Sequence, residues 1–495
     1  MNNVPKLKIA LVAVSRDNFS RDISTDTLRR VEAQAHASLP PVFACDTLVE
    51  NEADAMKALS QIQDAECNAL VVLLGNFGPE TPETILAQYF PGPSLYLAAA
   101  EDASGSLYDA RRDAYCGLLN CSYNLDLRNI SAFIPAYPVG VPSDMKDRIA
   151  EFAPIARAAI GIKKLKIITF GPRPKDFFAC NAPIKPLYNL GVEIQENSEL
   201  DLALAWRRHE GDKRISALVE QMKYETKNTK YAEVLPKMAQ YELTLLDWAE
   251  ENKGSRQYVA FANKCWPAFQ KEFGFLPCYV HGRLGSQGIP VGCETDIYGA
   301  LSEYIGTVIG ESPVTLLDIN NSIPEDAYQE YLKSAKSAYR KEEMFIGFHC
   351  GNTPISLLAE NELRYKMNRK DPNAPETGKE ETRGTLEGRI APGEISAFRL
   401  HGNAEGHLQA YIAKGEILPV ELNTYGCYAL FGIPEMARFY RHVLLEKHFP
   451  HHSAVMYGHA AALYDLFNFL GVSYIGYNHS KGDRYERENP FRMEF

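Results

Sequence analysis

Ten cysteines are present, yet no two stand in a C-x-x-C pair; the chain also has no long apolar run and no basic stripe. Each absence excludes something. Without paired cysteines there is neither a disulfide framework nor a zinc motif, and Cys180, Cys293 and Cys350, which fall in predicted buried strands or helices, read as reduced core residues. The formal charge of -11 is spread along the chain, leaving no basic face for nucleic acid and no basic amphipathic helix for a membrane surface. A small-molecule ligand is the expectation. The apolar run Ile9 to Val14 is shorter than a signal-peptide core, and no other run can span a bilayer, so a cytoplasmic protein is expected.

What is present is the composition of a soluble globular protein, 45% hydrophobic and 23% charged over 495 residues. That length implies about three domains. Lys8–Val14, Ala69–Leu74 and Ser94–Ala100 read as strands, with a helix over Asp26–Ala37 capped by Ser24 or Thr25. Such alternation predicts a wound parallel sheet. The pattern restarts at Lys164–Phe170, which is followed by Gly171-Pro172-Arg173-Pro174. A charged insertion, Tyr365 to Arg383, reads as a surface loop. From Gly384 to Val420 short alternating segments, among them Ile395–Leu400 and Leu408–Ile412, predict antiparallel strands of a small barrel or sandwich. The expected fold is therefore α/β: two wound domains, 1–161 and 162–310, followed by a β-rich α+β domain, 311–495.

The stretch Pro290 to Asn321 reads as turn, helix, strand. Ile297, Leu301, Ile305 and Val308 recur at helical spacing until Gly310, which places Glu294 in the first helical turn. Val314–Leu317 reads as a buried strand with Asp318 at its carboxyl end, where ligands bind in open α/β sheets. Two carboxylates so placed can hold a hard divalent cation. They can equally complement a helix dipole and cap a turn with Asn320 and Asn321. Nine of the twelve histidines lie after residue 340, and the densest group is His448, His451, His452 and His459. If His451 and His452 are both on a strand they face opposite sides, so only one should reach a given ion.

These residues carry a resemblance to the L-fucose isomerases and, more distantly, the L-arabinose isomerases. ETDIYGALSEYIGTVIGESPVTLLDINN is similar to the family's metal segment, EISAFRLHGNAEGHLQAYIAKGEIL to its strand-rich C-terminal domain, and HHSAVMYGHAAALYDLFNFLGV to its histidine segment. The resemblance implies Glu294, Asp318 and His452 as ligands of Mn2+, with Glu294 and Asp318 also catalytic, and a homohexameric assembly. It implies an aldose–ketose isomerase that moves a proton between C1 and C2 of a sugar through an enediol. His452 then needs an acceptor behind its other ring nitrogen.

The chain also departs from the family. His451 stands where fucose isomerases usually carry Asn, the tryptophan-bearing segment reads Asn423 to Tyr428, and the arginine motif is reduced to Arg16 and Arg21. The run Gly282 to Gly288 lacks a nucleotide-binding pattern and makes Gln287 a candidate sugar contact. Arg16, Arg21, Gln287, His451 and Asn321 form the candidate substrate-binding set. A sulfonate needs donors that a methyl group does not, so a sulfoquinovose isomerase is the alternative within the family, with His451, Arg16 and Arg21 as donors. A non-catalytic sugar-binding protein is the alternative from another class.

Overall fold

The structure, a computed structural model, describes every residue except 1–2, 36–39, 227–229, 335–338, 368–370, 372, 376–379, 487 and 489–495. The chain forms two compact units, one of Pro5–Ile160 with Asn468–Leu470, the other of Met1–Val4, Gly161–Phe467 and Gly471–Phe495.

The smaller unit is built on five parallel strands, β1 (Ile9–Val14), β2 (Val42–Ala44), β3 (Ala69–Leu74), β4 (Ser94–Ala99) and β5 (Val139–Gly140), in the order β2-β1-β3-β4-β5. β1, β3 and β4 are buried at every position. Helices on both faces explain why these strands read as unbroken apolar runs. The first helix spans Arg21–Ala35, so Ser24 and Thr25 lie inside it and do not cap it. Ser24 is instead packed on Gly75, where an added Cβ would meet its Oγ at 2.4 Å.

One carboxyl group in this unit is buried with only partial compensation. Glu83, on the helix Glu80–Tyr89, is fully buried and neither of its oxygens has a hydrogen-bond partner. Burial first, then the neighbouring Glu80, push it up to about 8 against the lowering effects of Cys121 and Arg16. The folded state therefore keeps a proton that the unfolded chain releases near pH 4.5. The resulting stability is complete below that pH and is lost as pH rises through about 8, a change on the order of 5 kcal/mol. Glu83→Gln, which mimics the protonated acid, should match the wild type in urea melts at pH 5 and exceed it at pH 9.

The larger unit contains two sheets. β6 (Leu165–Phe170), β7 (Glu193–Asn197), β8 (Tyr258–Ala262) and β9 (Val291–Gly292) are parallel in the order β7-β6-β8-β9. The second comprises β10 (Thr315–Ser322), β11 (Met344–His349), β12 (Glu362–Tyr365), β13 (Arg383–Arg389), β14 (Gly393–Gly402), β15 (Leu408–Leu418), β16 (Cys427–Gly432), β17 (His452–Tyr457) and β18 (Tyr474–Tyr477). Its order is β12-β13-β16-β11-β10-β17-β14-β15-β18, and an additional β15–β16 pairing closes six of these strands, β10, β11, β14, β15, β16 and β17, into a barrel. All pairs within the ring are antiparallel.

The helix Ile297–Gly310 packs against β8 and β9 as well as β14 and β17. Every residue from Ile297 to Ile309 is buried, as an apolar helix between two layers must be. Its fully buried Leu301, Ile305 and Val308 each contribute roughly 1.5–3 kcal/mol of burial, which fixes the chain on either side of it.

Two expectations change here. Glu294 precedes the helix, in a 3-10 turn over Cys293–Thr295. β10 does not stop at Leu317: it runs on to Ser322, so Asp318 lies within an antiparallel strand and not at the carboxyl end of a parallel one. Pairing with β11 carries the polar half of the strand forward, with a bulge between Ile319 and Asn321. In the charged insertion, residues 368–370, 372 and 376–379 lie outside the described residues; on either side of them β12 and β13 pair. All ten cysteines are free, Cys180 and Cys293 are buried, and Cys350 is half-buried just beyond β11. Among the described residues no helix is long and apolar enough to cross a membrane.

Candidate active site

β9 leads directly into the turn that carries Glu294. Glu294 and Thr295 adopt left-handed backbone, φ +61° and +58°, at a cost on the order of 1–3 kcal/mol each for non-glycine residues. Neighbouring backbone holds them there: Thr295 N–H donates to Asn263 O at 3.1 Å and Asp296 N–H to Cys293 O at 3.0 Å. The turn turns the Glu294 carboxylate toward the barrel, where β10 and β17 are in register with Asp318 opposite His452.

Around His452 the groups converge. Its ring is fully buried; Nε2 has no aligned hydrogen-bond partner, yet lies 3.3 Å from Asp318 Oδ1 and 3.6 Å from Glu294 Oε2. Nδ1 lies 2.8 Å from Asp296 Oδ2. Asp296 is clamped by Arg399, whose Nη1 and Nη2 donate to its two oxygens at 2.7 and 2.9 Å, and it also accepts the Gly299 N–H at 2.9 Å as the helix cap. A side chain at position 299 would fill this space, since an added Cβ would meet Asp296 Oδ2 at 2.7 Å. Nδ1–H donation to this carboxylate leaves the Nε2 lone pair facing Glu294 and Asp318.

Charge in this cluster is balanced by proximity. Burial raises the Asp296 carboxyl, but Arg399 and His452 outweigh it and hold it well below the usual range. For Asp318 burial is again opposed, by the His452, His349 and His451 imidazoles, and the carboxyl falls to about 2. Two carboxylates whose oxygens lie 3.3 and 3.6 Å from one imidazole nitrogen, with a third carboxylate orienting the imidazole from behind, are donors of the type that suits a hard divalent ion. The donor set fits Mn2+.

The other candidate residues are dispersed. His451 joins the cluster: its Nε2 is 3.2 Å from Glu294 Oε2 and 3.8 Å from Asp318 Oδ1, with its ring edge-on to Phe177. Both histidines therefore reach the same carboxylates, contrary to strict alternation, because β17 begins at His452 and His451 lies outside it. Asn321 is exposed beyond the bulge and bonds to Asn320, whose Nδ2 donates to Asp318 Oδ2 at 3.4 Å. Gln287 ends the helix Cys278–Ser286, exposed, and donates to the buried Glu242 at 3.0 Å. Arg16 and Arg21 belong to the smaller unit, where Arg16 stacks on Phe77 and the exposed Arg21 pairs with Glu50 at 3.1 Å.

Several residues of the site are absent from the candidates that the sequence offers. Asp296 and Arg399 orient His452; His349 sits beside Asp318; the Cys180 thiol is 4.0 Å from Glu294 Oε2. Arg399 did carry a signal, because it falls in the same strand register as Ile395 and Ala397, both buried in the barrel core.

The chain matches two domains of one group of enzymes. Residues 10–163 match the Fucose/sulfoquinovose isomerase, N-terminal domain, and residues 347–478 the L-fucose isomerase, C-terminal domain. It is similar to a sulfoquinovose isomerase from Priestia megaterium, 20% identical over 461 residues that cover 91% of this chain and 94% of that protein. A sulfoquinovose isomerase from Alkalicoccus urumqiensis is 24% identical over 227 residues, 44% of this chain and 45% of that protein. The protein is a sugar isomerase, of the class that interconverts aldoses and ketoses. It belongs to the L-fucose isomerase family. Glu294 and Asp318 fall between the two matched domains, whereas His452 lies inside the second.

Proposed function

We propose that the protein is a manganese-dependent aldose–ketose isomerase whose substrate is sulfoquinovose. The observation that carries the metal dependence is the convergence of Glu294, Asp318 and the unpartnered Nε2 of buried His452. The substrate reading is supported by the relatives named sulfoquinovose isomerase and by His451, a group able to carry positive charge where a neutral amide is usual. Glu294, Asp318 and His452 would hold the ion, which would supply Lewis-acid polarisation of the substrate oxygens and so acidify the carbon-bound proton. One carboxylate of the Glu294–Asp318 pair takes that proton and returns it to the neighbouring carbon, and the other moves the hydroxyl proton. Asp296 keeps His452 in the tautomer that leaves Nε2 free.

The test is a side-by-side measurement of initial rates on sulfoquinovose, L-fucose and D-arabinose with Mn2+. Conversion of sulfoquinovose well above the others is expected, and His451→Asn should reduce that preference. Turnover of L-fucose without sulfoquinovose would refute the substrate assignment.

We also propose that the chain works as a homo-oligomer, a hexamer by family resemblance. Support comes from the helix Ala114–Leu127 in the smaller unit, where Tyr115, Leu119, Tyr123 and Leu127 recur every four residues and are 64, 63, 64 and 58% exposed. An apolar stripe of this length on a lone chain marks an association surface. Leu119→Asp with Tyr123→Asp should shift the wild-type assembly to a smaller species in sedimentation velocity. A wild-type monomer at micromolar concentration would contradict this reading.

A further inference from the structure

His349 closes β11 and is 7% exposed. Its Nδ1 accepts the backbone N–H of Cys350 at 2.9 Å. A ring nitrogen that accepts an N–H carries no proton, so the neutral imidazole must hold its proton on Nε2. That Nε2–H makes no hydrogen bond to a described residue, and Asp318 and His452 are the polar groups around the ring. A donor that no protein group engages is open to a ligand at the site.

Its position shows which ligand. The His349 ring centroid lies 5.7 Å from that of His452, and one donor atom from each of His349, Asp318 and His452 falls within 4.8 Å of the others. The tautomer separates the two imidazoles by role. His452 gives its Nδ1–H to Asp296 and presents a lone pair, whereas His349 receives the Cys350 amide and presents a proton.

We propose that His349 is a neutral hydrogen-bond donor to the bound sugar, with its Nε2–H directed at the C1 or C2 oxygen that gains negative charge as the enediolate forms. A fixed neutral donor stabilises that charge without adding a second cation beside the metal, and it needs no reorganisation during the reaction. It is not a fourth metal ligand, because a nitrogen bearing a proton has no lone pair to offer. The proposal rests on the isomerase reading above.

The test uses the full-length wild type with His349→Ala and His349→Gln. In the metal-free wild type, 15N NMR of labelled histidine should show His349 protonated at Nε2 and unprotonated at Nδ1. Calorimetric titration should give Mn2+ affinity in His349→Ala within about 3-fold of wild type. Its kcat should fall on the order of 10²-fold, as when one oxyanion donor is removed, with KM little changed. His349→Gln, whose amide restores an N–H at that place, should recover most of the loss. Protonated Nδ1, Mn2+ binding weakened more than 10-fold, an unchanged kcat, or equal losses in both variants would each overturn the assignment. A wild type without Mn2+-dependent isomerisation would instead defeat the functional reading, while the NMR and metal titration would still decide the tautomer and the ligand question.

Discussion

Glu294→Gln and Asp318→Asn should each lower kcat on the order of 10³-fold and weaken Mn2+ binding. Each amide keeps the size of the side chain it replaces but removes one anionic ligand and one proton carrier, and a positioned acid or base alone is typically worth 10²–10⁴-fold. Asp318→Asn should also lose some stability, because the buried imidazoles beside it depress its carboxyl to about 2 and the amide gives that interaction up. Retained activity with normal metal content in either variant would exclude a direct role for that residue. Pre-steady-state rates with metal saturating separate weakened binding from lost proton transfer.

Arg399→Met should be the most destabilising single change near the site. Arg399 and Asp296 are both nearly inaccessible, with side chains 1% and 3% exposed. Losing the guanidinium strands a buried carboxylate, at about 3–5 kcal/mol. The same carboxylate caps the helix Ile297–Gly310 and fixes the His452 tautomer, so damage should spread to metal binding. Asp296→Asn keeps an acceptor for both partners but discards the charge, and Mn2+ affinity should drop about 10–100-fold, as for other groups that orient a metal-bound histidine. The double variant Asp296→Asn with Arg399→Met should regain part of the stability lost in either single variant, because no unpaired charge remains. Thermal melts with and without Mn2+ read both effects, and strictly additive losses in the double variant would argue against a coupled pair.

The sequence made some of this legible for definite reasons. The helix Ile297–Gly310 announced itself by its period, and Glu294, Asp318 and His452 stood out because carboxylates and a histidine pair on either side of apolar elements are chemically conspicuous. The length of β10 was hidden because its second half, Asp318 to Ser322, is polar and resembles a turn; only its pairing with β11 and β17 reveals a strand. Asp296 was not singled out from the sequence, and in the structure it is the cap of the helix. Its second task depends on Arg399, more than a hundred residues later, and such partnership is invisible until both are folded. His349 was one histidine among many; its tautomer is set by a backbone amide, which no residue pattern encodes. The shared reach of His451 and His452 followed from where β17 begins, a boundary that the alternation of residues does not fix.

The most direct measurement is conversion of sulfoquinovose in heavy water by metal-stripped protein before and after addition of Mn2+. The metal-free protein should form no product, and the Mn2+-loaded protein should form the corresponding ketose with solvent deuterium at C1, the mark of a proton passed through Glu294 or Asp318. Conversion without metal, or a ketose that fully retains the substrate's hydrogen, would contradict the account.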